Sequence, residues 1–343
     1  MNQTTELWRQ LPPVRPFQCL SWDEWFGVDF YGALDVAAEY CGLRDVPQLP
    51  PGTWQHGVMP PWQQVQPEVV VYGAPPRLRC FVGRKDEVDY LNQAGYRDVH
   101  AIGTPICYTA PTGVGRIPGS VLIMPMHITA ETQELPDARA YVQQAALLKD
   151  RFPVVAACVS QPCISKGLWA PALEAAGIPV IPGAGLYDAN ALRRMRTLFE
   201  SFEVITTQGY GSHVCYALCF GARVSIWGPE YKDSREDSLR DVVWGRFPEA
   251  LDRYLSPETE RRAEEFLGPL RVPPWAAVAD LELGRRMVGW GNRRSPDELR
   301  RLFGWTRNKL FAHALKRSLP WRGARWLRRR IQANRLMRKS QTK

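Results

Sequence analysis

The sequence predicts an α/β protein whose parallel sheets are covered by helices, arranged in two units and followed by C-terminal helices and a basic tail. Three observations carry that expectation. Short β-branched runs alternate with helical stretches from 153 to 229, the pattern of a parallel sheet covered on both faces. A strand, helix, strand succession lies upstream of it. The chain, 343 residues long, also exceeds the roughly 150 residues of an ordinary domain, and 45% apolar with 23% charged residues is the balance of a folded protein with a sizeable core.

The elements follow in order. Prolines gather in 11–16, 47–61 and 105–118, which read as long rigid loops. The runs EVVVYGAP (68–75), DVHAIGTP (98–105) and SVLIMPMH (120–127) read as strands, with a short helix between the first two closing at Gly95. LPDARAYVQQAALLKDRFP has Pro136 near its start and Pro153 as its stop, the marks of an amphipathic helix at a hinge. Strands at 153–160, 178–184, 202–208 and 222–229 then alternate with helices over about 166–176, 187–201 and 212–220. Segments 257–267, 277–288 and 295–303 carry helix signals, the last opening on Ser295-Pro296-Asp297-Glu298 as cap and first turn. These divisions give an N-terminal unit (1–150), a second α/β unit with closing helices (151–303) and a tail (304–343).

Charge is uneven. Residues 315–343 hold eleven Lys or Arg and no Asp or Glu, so removing them takes the net charge from +9 to −2. A near-neutral globular part argues against nucleic acid as a partner, whereas a basic tail containing Trp321 and Trp326 suits an anionic membrane surface. The eight cysteines form no CxxC pair and read as core thiols. No apolar leader opens the sequence and no run approaches about 18 apolar residues. A cytoplasmic protein, peripheral to the inner face of the membrane, is the expectation.

The stretch TTQGYGSHVCYALCFGARVSIWGPE (206–230) carries the clearest chemistry. In an open parallel sheet, ligands settle beyond the carboxyl ends of strands, where loops enter helix N-termini. Gly209 and Gly211 would let backbone turn tightly and approach a ligand, Ser212 would cap the next helix, and free N–H groups there favour a diphosphate. His213 would donate to a phosphate oxygen or a base edge. The dinucleotide fingerprint GxGxxG is not formed, since Val214 stands where its third glycine is needed.

That succession of strand, Gly/Ser/His turn, helix ending ALCFGA, strand RVSIWG and then PE resembles the donor-binding half of GT-B type glycosyltransferases, over residues 153–230. The order of His, Ala-Leu, Gly and Gly-Pro is similar to that of heptosyltransferases. It departs from them in having Thr206-Thr207-Gln208 rather than an Asp before the turn, and in its interval from His213 to Gly221, so only the architectural class carries over. The resemblance implies two Rossmann-like parallel-sheet domains facing a cleft, a nucleotide-sugar donor and a lipid-linked or surface-glycan acceptor, in lipopolysaccharide or polysaccharide biosynthesis. No cofactor beyond the donor is implied.

Glycosyl transfer needs a base for the acceptor hydroxyl and dipolar or positive groups for the departing phosphate. His127, ending SVLIMPMH, and His56, in the loop PPGTWQHGVMPPW, are the candidate bases; His100 reads as a core or edge residue and His313 as surface. On the donor side, Ser160 and Lys166 follow the strand at 153–160, Gly183 and Gly185 would approach a base or ribose, and Glu230 would accept from hydroxyls. No DxD triplet occurs, and no metal is expected. A nucleotide-sugar epimerase and a noncatalytic nucleotide-sugar or polyanion-binding protein of a glycan assembly complex are the alternatives.

Overall fold

A computed structural model describes residues 3–17, 27–47, 49, 51–128, 138–229, 234–240 and 244–311. Glu230, His313 and the tail segment 315–343 lie outside them. The described residues form an α/β fold with two sheets, both wholly parallel.

The smaller sheet has the order β1 (Thr53–Trp54), β2 (Cys80–Val82), β3 (Val99–Ala101). Helix α1 (Ala33–Tyr40) precedes it, and α2 (Lys85–Gln93) joins β2 to β3. The expected strand at 68–75 is instead a short helix, Pro67–Val70. Pro67 supplies a preset first helical φ, Tyr72 and Gly73 stop the helix with φ of 53° and 78°, and Val69, Val70 and Val71 are buried, Val70 and Val71 beside Cys80, Val82, Leu91 and Tyr96. A short valine-rich run satisfies a buried helix as well as a strand, so periodicity alone does not separate them.

The larger sheet comprises β4 (Ile117–Met124), β5 (Val154–Val159), β6 (Val180–Pro182), β7 (Phe202–Thr207) and β8 (Arg223–Ile226), in the order β6-β5-β4-β7-β8. The strand within SVLIMPMH is therefore not part of an N-terminal sheet but the centre of the second one. The physical reason is its two apolar faces. Val121 and Ile123 pack with Tyr141 and Val142 of α3 (Ala138–Ala146), while Leu122 and Met124 join the opposite core. A strand buried on both sides belongs inside a parallel sheet, not at its margin.

The helix expected at 166–176 is broken into α4 (Gln161–Ser165) and α5 (Ala170–Ala175). Gly167 and Trp169 take φ of 68° at the break, and the Trp169 indole donates to Met126 O at 3.0 Å. Helix α6 (Ala191–Ser201) begins later than expected. Its N-cap is Asn190, and Asp188 just before it is a fully buried carboxylate paired with Arg194. Helix α7 (Ser212–Cys219) follows β7.

Beyond β8, α8 (Leu281–Val288) lies on α7, with Gly284 against the Leu218–Cys219 backbone. The chain then crosses to the smaller sheet, where Thr104 N donates to Val288 O at 2.9 Å. Helix α9 (Pro296–Phe303) opens at the expected Ser295 cap, and Glu298 completes a capping box with it. Phe303 packs edgewise on Trp54 at 5.3 Å and against Phe81 at 4.9 Å. One core runs from Trp54, Phe81 and Ile102 through α7 to Leu122, Ile205 and Val224, so the two sheets share a hydrophobic interior. Each large side chain fully buried there contributes about 1.5–3 kcal/mol. All seven cysteines of the described residues are free and buried, and among those residues no helix is long and apolar enough to cross a membrane.

Candidate active site

Counted in chain order within the larger sheet, the strands run 3-2-1-4-5. After β4 the chain winds outward to β5 and β6, then returns to place β7 on the other side of β4. Loops leaving the carboxyl ends of β4 and β7 diverge there, and this switch point is where open α/β sheets form a ligand crevice. It carries Met126 and His127 after β4, and Gln208 to His213 after β7.

At the head of α7 the N-cap is Gly211, which has no side chain to satisfy the first-turn amides, and among the described residues Ser212 N and His213 N have no acceptor. Ser212 is the first helical residue rather than the cap, and its Oγ instead accepts from Val58 N at 2.9 Å. The two glycines are needed for space, not for a left-handed turn. Gly211 is extended at φ −161°, and a Cβ there would lie 2.7 Å from His213 Nδ1; one at Gly209 would lie 3.3 Å from Met126 Sδ. The imidazole of His213 has Nε2 3.0 Å from Thr207 Oγ1. Burial, with the nearby His127 adding to it, lowers the His213 pKa to about 3. His127 itself is exposed. The structure thus brings His127, Gly209, Gly211, Ser212 and His213 together.

His56 reaches the same place from the smaller sheet. Its loop is tied to α7 by the Val58 to Ser212 bond and by Tyr216 Oη donating to His56 O at 2.7 Å, and a Cβ on Gly57 would lie 2.8 Å from Ser212 Oγ. The ring stacks on Tyr72 at 4.3 Å and meets Tyr31 at 5.2 Å and Phe30 at 5.5 Å. Tyr31 and Tyr72 both hold left-handed φ, each followed by a left-handed glycine, so two strained tyrosines flank one imidazole. Sequence reasoning passed over both; the repeated Tyr-Gly-Ala at 31–33 and 72–74 was the available signal. Burial among these rings lowers the His56 pKa to about 3, leaving a neutral and weakly basic group.

The other expected residues lie elsewhere. Ser160 is the N-cap of α4, with its Oγ buried and unbonded. Lys166 is exposed at the C-cap of the same helix, not at a helix start, and so stands at the end whose dipole suits a cation rather than an anion. Gly183 and Gly185 follow the edge strand β6, three strand spacings or about 14 Å from β7. They make room for the chain's own atoms: Gly183 for Cys158 and Val159, Gly185 for Gln161.

A buried polar network adjoins the His56 loop. Gln55 Nε2 donates to Glu87 Oε1 at 3.1 Å, and Arg84 N donates to Glu87 Oε2 at 2.7 Å, while the Arg84 guanidinium reaches Met59 O and Met287 O. Desolvation outweighs these donors and raises the Glu87 pKa to about 7. Among the described residues no three His, Cys, Asp or Glu gather as a metal site. A separate cavity of about 590 Å³ lies between α1, α6 and the 110–114 loop, and none of the expected site residues lines it.

Two buried neutral histidines give a signed pH dependence. Unfolding restores a pKa near 6.5, so below that pH the unfolded chain binds more protons and stability falls toward pH 3, by about 1.4 kcal/mol per pH unit for each histidine. Glu87 acts oppositely, from 4.5 to about 7, but one carboxyl offsets only one imidazole. Unfolding free energies of His56→Phe from urea titrations should therefore show a pH slope shallower than wild type by about 1.4 kcal/mol per unit below pH 6.5. An unchanged slope would place the His56 imidazole in water.

No protein-family model matches this chain, and no curated protein sequence matches it significantly.

Proposed function

We propose that the chain is a metal-independent glycosyltransferase of the GT-B architectural class, moving a sugar from a nucleotide-sugar to a lipid-linked or surface-glycan acceptor. The observation that carries this reading is the 3-2-1-4-5 strand order, whose switch point coincides with His127 and the Gly209–His213 turn. The amides of Ser212 and His213 face a departing phosphate, with the α7 dipole adding to their effect. The smaller sheet serves the acceptor side through the His56 loop, which packs directly on the head of α7 beside the donor turn.

In the transfer itself, the acceptor hydroxyl attacks the anomeric carbon and its proton passes to the His127 imidazole. The bond from that carbon to the phosphate oxygen breaks, and the electron pair leaves with the nucleotide. His127 is the better base of the two candidates because a group held near pKa 3, as His56 is, gains little from taking a proton at neutral pH. His56 instead packs the acceptor-side loop. The basic segment 315–343 would hold the protein on an anionic leaflet at about 1 kcal/mol per cationic side chain.

His127→Ala should lower transfer from nucleotide-sugar to glycan acceptor by at least about a hundredfold, with nucleotide affinity retained. Chromatography of the products checks this. Full turnover in the variant would remove His127 from the mechanism, and a converted nucleotide-sugar formed without any acceptor would indicate an epimerase.

A further inference from the structure

Two residues at the end of β7 bond the loop after β4, the Gly209 turn and the loop leaving β8. Thr207 is fully buried; its Oγ1 lies 3.0 Å from His213 Nε2 and 3.4 Å from Gly209 O. Gln208, 3% exposed, accepts from Met126 N at 3.2 Å and donates to Pro229 O at 3.0 Å. The loop bearing His127 and the loop leaving β8 therefore hang from one carboxamide. Only an amide side chain offers an acceptor and a donor in one fixed plane without charge, so Glu keeps half of this arrangement and Met none.

We propose that Thr207 and Gln208 are the positioning residues of the candidate site. Thr207 fixes the ring and tautomer of His213 in the first turn of α7, and Gln208 sets the His127 loop and the Pro229 loop on either side of the Gly209 turn. The assignment rests on reading that turn as the ligand site. It follows from contact geometry: neither side chain has to touch the ligand, yet each bonds a residue or loop that does. The Thr207 hydroxyl donates to Gly209 O and so accepts from His213 Nε2–H, which holds the neutral imidazole in the one tautomer that a ligand then meets ready-formed.

The test uses the full chain labelled with ¹⁵N. In the wild type the His213 ring should show a single neutral tautomer between about pH 5 and 8. Thr207→Val should give the averaged signals of two tautomers, and Thr207→Ser should restore one. Gln208→Met should speed Met126 amide exchange by about tenfold, the worth of one net hydrogen bond, while amides inside β4 stay unchanged and Gln208→Glu keeps Met126 protected. Unchanged ring signals in Thr207→Val, failure of Thr207→Ser to restore them, or unchanged Met126 exchange in Gln208→Met would each overturn the assignment. Titration of the same samples with UDP, GDP, CMP, dTDP and ADP separates the two readings. If none binds the wild type while ring and amide respond as stated, the device stands and the nucleotide reading falls. If one binds the wild type, Thr207→Val and Gln208→Met equally well, the positioning role is overturned.

Discussion

Asp188→Ala should lower the unfolding free energy by about 3–5 kcal/mol, a large share of the roughly 5–15 kcal/mol that a folded domain has. The carboxylate is fully buried and pairs with Arg194, which is itself almost wholly buried. It also accepts from Arg15 N at 2.9 Å and Asn190 N at 3.0 Å, so it ties the N-terminal arm to the loop after β6. Arg194 additionally donates to Pro12 O, Pro182 O and Gly183 O. Removing the carboxylate leaves a guanidinium in the interior with carbonyls alone as partners. Urea denaturation of Asp188→Ala and of Asp188→Ala/Arg194→Met measures the effect, and the double variant should regain part of the loss because it removes the stranded charge. A single variant within about 1 kcal/mol of wild type would mean that water reaches this pair.

Gly289→Ala should cost about 3 kcal/mol or more, with two causes acting at once. Gly289 ends α8 with φ of 72°, a region that costs an alanine roughly 1 kcal/mol or more. A Cβ there would also lie inside van der Waals contact with Gly83 O and 2.6 Å from Gly83 C, backbone atoms at the end of β2 that cannot rotate away. This junction is where the chain crosses from the larger sheet to the smaller, so the clash should loosen α9 and its packing on Trp54 and Phe81. Gly95→Ala is the control: its φ is 91° and nothing lies within 4 Å of the added carbon, so it carries the dihedral cost without the collision. Equal melting temperatures for the two variants would show that the junction yields.

The strands of the larger sheet were legible because each is a β-branched run bounded by Pro, Gly or a charged residue, and fully buried strands need nothing more. The partnership of β4 was not, since pairing with β5 and β7 is a non-local choice that its own residues express only as two apolar faces. β1 is two residues long inside a proline-rich loop and leaves no periodic trace. The valines at 69–71 suit either state, and the tertiary contacts to Leu91 and Tyr96 decide for the helix. At the site, the Gly/Ser/His turn was readable because those residue types mark a strand entering a helix. The partner of Ser212 was not: Val58 lies 154 positions away. Gln208 likewise looked like the polar end of a strand, and only the fold reveals the two loops it joins.

The proposed function requires that the carboxyl edge between β4 and β7 hold a nucleotide. The thermal midpoint of the purified protein with UDP, GDP, CMP, dTDP, ADP and their common sugar conjugates, repeated on Ser212→Ala/His213→Ala, measures that binding. One nucleotide class should raise the wild-type midpoint, by about 2.7 kcal/mol of added stability at a hundred times its Kd, and leave the double variant nearly unmoved. A folded wild-type protein whose midpoint no nucleotide shifts, or a double variant stabilised as much as the wild type, would contradict it.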